Sequence, residues 1–134
     1  MPFWKLFAIV VPIFFAIDML WLGVVMKDFY SRELGEIARR QGSSLAPRWG
    51  AVVLVYILIP AGLRLFARPS PETESLWSAI GRAALFGFVM YGVYDLTNLA
   101  TLERWSVRLA AADMAWGTTL GGLFGAIMYW LDKR

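Results

Sequence analysis

The chain has 134 residues, of which 59% are hydrophobic and only 17% are charged, below the about 25% that is usual in soluble domains. It contains neither cysteine nor histidine, which excludes disulfides, thiolate or imidazole metal ligands, cysteine nucleophiles and histidine bases. The formal net charge of +3 comes from basic residues that flank apolar segments, and this pattern is typical of membrane proteins rather than of nucleic-acid binders.

Four apolar segments follow one another along the chain, and a membrane span needs about 20 such residues. They cover about residues 4–26, 49–67, 77–99 and 110–131. We therefore predict an all-α, single-domain integral membrane bundle of four transmembrane helices over residues 1–134, with both termini on one face. In the second segment, Pro60 predicts a kink, and Arg64 is expected to extend to the headgroup region.

The first loop, between about residues 27 and 48, has its own pattern. Apolar and aromatic residues recur there at helical spacing, with charged residues between them: Phe29, Tyr30, Leu34, Ile37 and Ala38. This spacing predicts a short amphipathic helix that lies on the membrane surface and covers the bundle. A solvated loop with a fortuitous alternation is the other interpretation.

Three carboxylates, Asp18, Asp95 and Asp113, lie within the apolar segments or just inside their ends. Because a charge in hydrocarbon is costly, an ionisable residue at such a position is a candidate functional residue. Successive spans alternate in direction, so all three acids are predicted in the same half of the bilayer, beneath the first and third loops. We take them as candidate catalytic residues, one as general acid and another as base. Arg104, Arg108, a hard divalent cation or a cationic ligand are candidate counter-charges; no metal ligands are assigned, and no cofactor is indicated.

Aromatic and polar side chains surround these acids and are candidate ligand-binding residues: Trp21, Tyr91, Tyr94, Asn98, Trp105 and Trp116. Two of the acids begin the same four-residue pattern, Asp-Met-x-Trp, at Asp18 and at Asp113. This spacing places an indole one helical turn from a carboxylate, and we interpret the match as coincidental in ancestry but shared in chemistry. The alternative is that the acids pair with Arg, Trp and Asn only to hold the bundle together.

Glycines recur every fourth residue in the last segment, at Gly117, Gly121 and Gly125. Such a double GxxxG pattern allows another helix backbone to approach closely. We predict that this face packs inside the bundle. A homodimer formed through the same three glycines is the alternative.

The stretch YGVYDLTNLATL, from Tyr91 to Leu102, is followed by Trp105. Together with the two Asp-x-x-Trp pieces and Phe29-Tyr30, it resembles a bacterial family of predicted membrane proteins, domain of unknown function 2177, over essentially the whole chain. The resemblance implies a multi-pass protein of the bacterial inner membrane and supplies no established catalytic residues. Six basic residues on the terminal face and seven on the other do not decide the orientation, and we expect the termini in the cytoplasm.

The favoured functional hypothesis is a membrane-embedded site that binds or modifies a lipid-like molecule, with membrane lipids as partners. Whether the protein is an enzyme is left open. One alternative is a small transporter in which Asp18 exchanges protons against a cationic substrate. Another is a structural or accessory subunit of a larger membrane complex.

Overall fold

The computed structural model describes all residues, Met1–Arg134, and is all-α apart from one short hairpin. Its helices, in chain order, are α1 (Phe3–Leu20), α2 (Lys27–Leu34), α3 (Trp49–Phe66), α4 (Leu76–Thr101) and α5 (Val107–Lys133). A π-helical turn, Trp21–Val25, continues α1, and a 3₁₀ turn, Gly35–Ile37, follows α2. The antiparallel strands β1 (Arg40–Gln41) and β2 (Ser44–Leu45) form the hairpin, with Arg40 opposite Leu45.

Three segments, Phe3–Val25, Trp49–Phe66 and Leu76–Thr101, are long and apolar enough to cross a membrane. The predicted helical class is confirmed, and three of the four predicted spans are confirmed as candidate membrane spans by length and hydropathy. Helix α5, with 27 residues, is one residue longer than α4, but it is not among the three segments. Its glycines, threonines and Asp113 lower its hydropathy, so the fourth crossing stays a prediction.

Helices α4 and α5 pack with almost no space between their backbones. A Cβ atom added at Gly121 would lie 2.3 Å from the carbonyl oxygen of Ala83, and one added at Gly87 would lie 2.2 Å from that of Gly117. A Cβ at Gly125 would lie 2.8 Å from the carbonyl oxygen of Ala79. The glycines of α5 therefore lie against α4 within one chain. A homodimer through them stays a prediction, and it would require α4 to be displaced.

A buried stripe on α1 consists of Leu6, Val10, Phe14 and Asp18, each four residues after the last. This spacing places them on one helix face. Their apolar members pack with residues of α3 and α5, among them Leu63, Phe124 and Met128. The same periodicity that builds the core thus carries the Asp18 carboxylate into the bundle.

At the terminal face, the Arg64 side chain is 2% exposed, and its extension to the headgroup region stays a prediction. Its Nη1 lies 2.6 Å from Oδ2 of Asp132, near the end of α5. The N-terminal amine lies 3.2 Å from Oδ1 of the same carboxylate. Because Asp132 neutralises the guanidinium inside the bundle, Arg64 has no need of solvent, and the contact holds both termini on one face.

At the opposite end, α2 lies over the loop that joins α4 to α5. Tyr30, Trp105 and Leu109 form a small buried cluster there. The Ser106 hydroxyl donates to Glu33 at 2.6 Å. The helix in the first loop is shorter than its apolar pattern indicates, because Gly35 adopts a positive φ of 53° and ends the helical path after Leu34.

Candidate functional site

Asp18 is 5% exposed and accepts two hydrogen bonds from two different helices. The Trp116 indole Nε1 of α5 donates to Oδ1 at 2.7 Å, and the Tyr56 hydroxyl of α3 donates to Oδ2. Both carboxylate oxygens therefore have donors, as a buried carboxylate requires. Asp18 joins α1, α3 and α5 in one contact.

Asp113, in the first part of α5, accepts a hydrogen bond from the Tyr30 hydroxyl of α2 at 3.0 Å. The same hydroxyl oxygen accepts from Trp21 Nε1 at 3.3 Å. Burial, and after it the negative charge of Asp113, raises the pKa of Tyr30 above its ordinary range. The phenol therefore stays protonated at neutral pH and holds α2 against α5 as a donor.

The indole rings of Trp21 and Trp116 stack face to face, with centroids 4.3 Å apart and ring planes 4° from parallel. We term these two residues the indole pair. In each Asp-Met-x-Trp segment, the tryptophan bonds toward the acid of the other segment. Trp116 donates directly to Asp18, and Trp21 is linked to Asp113 through Tyr30. The two matching segments are thus reciprocal partners on antiparallel helices.

Asp95, in the last third of α4, is 0% exposed. Its carboxylate lies beside Asp113 and the indole N–H of Trp105. Neither oxygen of Asp95 has a hydrogen-bond partner in the chain, and neither has Trp105 Nε1. We term Asp95 and Asp113 the acidic pair.

None of the three membrane carboxylates is part of an ion pair. Arg104 and Arg108, the expected counter-charges, instead face the α2 region, where they pair with Glu36 at 2.5 Å and Glu33 at 3.9 Å. That expectation is therefore wrong, because these arginines lie on the outside of the loop. No group of three or more carboxylate, histidine or cysteine side chains is placed to hold a metal ion.

The other predicted ligand-binding residues differ in position. Tyr91 packs on Gly117 and lies within electrostatic reach of all three carboxylates. Tyr94 is 56% exposed and meets Trp105 edge to face. Asn98 is half-buried and lies outside the hydrogen-bonded network.

Two tyrosines that complete the site, Tyr30 and Tyr56, are not among the residues predicted from sequence. The signal for Tyr30 is its place on the apolar face of the loop helix, which is predicted to lie on the membrane surface and to cover the bundle. Tyr56 carried no signal, since it is one aromatic among many in an apolar span, and only the packing of α3 on α1 brings it to Asp18.

The interior of the bundle holds a cavity of about 10 Å³ beside Phe14, Tyr91 and Gly117, room for about one water. A much larger groove of about 290 Å³ lies against the indole pair. Its walls, mostly apolar, are formed by Trp21, Met26, Ala112, Ala115, Trp116 and Thr119. We term it the indole groove.

The chain matches the model of a family described as "predicted membrane protein (DUF2177)" over residues 3–130. It belongs to this family. The match confirms the family that the sequence motifs indicate, and the description of the family assigns no activity. Comparison with curated proteins and with solved structures finds no match in either.

Proposed function

We propose that this membrane protein binds a lipid-like molecule in the indole groove. The observation that carries the proposal is the groove itself, of about 290 Å³ and open to the outside between the end of α1 and the start of α5. Ligand pockets for small molecules are typically this size or larger and mainly apolar. The indole N–H groups of Trp21 and Trp116 are engaged by Tyr30 and Asp18, which leaves apolar ring surface for an acyl chain.

The membrane arrangement that fits this proposal has four crossings, with α5 as the fourth. Ten residues of α5 are buried by the rest of the chain, so much of its surface does not need to be soluble in lipid. A helix of 27 residues is about 40 Å long, enough for the hydrocarbon core. We place the protein in the bacterial inner membrane with its termini in the cytoplasm.

The groove has a polar end, which suits an amphiphile. Met26 lies at its edge, next to Lys27 at the start of α2, and Lys27, Asp28 and Arg32 of this helix are exposed. We place α2 at the headgroup level, with the apolar part of the ligand along the indole pair. The ligand would thus lie as lipids lie in the surrounding leaflet.

The geometry supports binding more than transport or catalysis. A transporter needs a path past Asp18, but both oxygens of Asp18 are bonded, and the interior cavity near Phe14 holds about 10 Å³. No specific observation favours a transported substrate or an accessory role, and we assign no reaction to the acids.

The test fills the groove with a side chain and follows bound lipid by native mass spectrometry of the detergent-purified protein. Ala115 lines the groove, whereas Ala100 is an exposed alanine of α4 outside it. We expect wild type and Ala100→Phe to retain a lipid adduct. In Ala115→Phe, the fraction of protein that carries the adduct should fall at least tenfold. An adduct of wild-type strength in a folded Ala115→Phe protein, with its thermal unfolding unchanged, would refute the proposal.

A further inference from the structure

The carboxylate of Asp95 is enclosed by the chain and yet accepts a hydrogen bond from no group of the chain. Leaving a buried polar group unpaired costs about 1–3 kcal/mol, and more when the group is charged. A small rotation of Trp105 could bring its indole N–H onto one oxygen, but the other oxygen faces the Asp113 carboxylate, which offers no donor while both acids are ionised. The Asp95 carboxylate can therefore accept more hydrogen bonds than the groups around it donate.

The charge around Asp95 is also uncompensated. The acidic group beside it is another carboxylate, Asp113, and the arginines that form ion pairs do so elsewhere. The surrounding side chains are aromatic, with Trp105 beside the carboxylate and Tyr91 and Tyr94 within electrostatic reach of it. Carboxylates and aromatic rings both attract cations, in particular where water is excluded.

We propose that the acidic pair, Asp95 and Asp113, binds the primary ammonium group of a long-chain amphiphile. This inference rests on the proposed function and specifies the headgroup of the ligand. A primary ammonium group carries three N–H donors, enough for both oxygens of Asp95 and for the oxygen of Asp113 that Tyr30 does not use. A quaternary ammonium group has the charge without the donors, so the site would favour the primary amine.

One residue, Tyr30, links the indole groove to the acidic pair. Trp21, in the wall of the groove, bonds to Tyr30, and Tyr30 bonds to Asp113. Tyr30 belongs to α2, which a π-helical turn at Trp21–Val25 and the positive-φ Gly35 connect to the rest of the chain. π-Helical turns often occur at functional sites. An outward movement of α2 would open a path for the headgroup to Asp95.

The test compares two probes of equal chain length, oleylamine and oleyl alcohol, by native mass spectrometry at pH 7. The amine is then protonated, since primary amines titrate at about pH 10. We expect wild type to bind oleylamine at least tenfold more tightly than oleyl alcohol and more tightly than oleyltrimethylammonium. Asp95→Asn should remove this preference and leave the binding of oleyl alcohol unchanged.

Glu72→Gln is the matched control, because it removes one carboxylate charge from an exposed position in the loop between α3 and α4, at the opposite end of the bundle. It should keep the full preference for the amine. If Asp95→Asn does not fold, Asp113→Asn gives the same test, since its amide oxygen still accepts from Tyr30.

The outcomes separate this inference from the proposed function. Equal binding of both probes by wild type, abolished by Ala115→Phe, would overturn the ammonium site and leave the groove as a lipid site. Retention of the preference in folded Asp95→Asn and Asp113→Asn would overturn it as well. Binding of neither probe and of no lipid would refute both proposals.

Discussion

Trp116 donates to Asp18, and Trp21 reaches Asp113 through Tyr30, so two short segments that match in sequence are partners in space. Helices α1 and α5 run in opposite directions, and the spacing of three residues between acid and tryptophan is the same in both. Each acid is therefore level with the tryptophan of the other helix. The two copies of the shared pattern form a single reciprocal contact.

Gly121 offers a sharp test at the scale of one residue, because a methyl group there would lie 2.3 Å from the carbonyl oxygen of Ala83. A backbone carbonyl cannot turn away, so α4 and α5 must separate. We expect Gly121→Ala to lower the free energy of unfolding by about 3 kcal/mol, the upper end of the range for overpacking. Thermal unfolding followed by circular dichroism in detergent measures the change.

The matched control is Gly81→Ala on α4, where nothing lies within 4 Å of the added methyl group. Alanine is a better helix former than glycine, so this variant should be stabilised by about 0.5–1 kcal/mol. Equal unfolding temperatures for the two variants would show that α4 and α5 do not meet through their backbones.

Among the helices, α3 and α5 are joined at their C-terminal ends by the buried contact between Arg64 and Asp132. The side chains of these two residues are 2% and 4% exposed. Removing one member of a buried ion pair leaves the other uncompensated, at a cost of about 3–5 kcal/mol. Replacing both members with apolar residues is often close to neutral.

We therefore expect Arg64→Met to destabilise the protein by about 3 kcal/mol, the lower end of this range, because the N-terminal amine still lies 3.2 Å from Asp132. The addition of Asp132→Leu should recover part of the loss, since it removes the buried carboxylate but leaves the amine without its partner. Chemical unfolding in mixed micelles measures both. Arg68, whose side chain is 58% exposed and lies 3.9 Å from Asp132, is the control. Arg68→Met should cost less than about 1 kcal/mol, as is usual for exposed pairs. A double variant no more stable than Arg64→Met would argue against the contact.

For the whole molecule, the open question is whether α5 crosses the membrane, and the absence of cysteine makes the question accessible. Single cysteines at Ser43, Ser70, Glu103 and Lys133 place one thiol in each loop and near the C-terminus. We expect an impermeant maleimide to label Ser70→Cys and Lys133→Cys from one side of the membrane. Ser43→Cys and Glu103→Cys should be labelled from the other side.

Ser43 and Ser70 serve as controls for each other, since they flank α3, one of the three apolar spans. Labelling of Lys133→Cys from the same side as Glu103→Cys would mean that α5 does not cross. The contact of Asp132 with the N-terminal amine favours a crossing by α5, because it places the end of α5 on the same face as the start of α1.

By itself, the sequence determined that the chain is helical and apolar enough to cross a membrane, and that it belongs to its family. It also placed Asp18, Asp95 and Asp113 in one half of the molecule. These properties follow from length, hydropathy and short motifs, which are local along the chain, and from the alternating direction of successive spans.

Tertiary structure alone decided which groups meet. Hydropathy does not specify how far a helix is rotated about its axis or shifted against its neighbours. A rotation of a few tens of degrees changes the partners of its side chains. The donors to Asp18, the burial of Arg64 and the unpaired oxygens of Asp95 all depend on that rotation. Between α4 and α5, the glycine contacts set this rotation, because two backbones that touch cannot turn against each other without a clash.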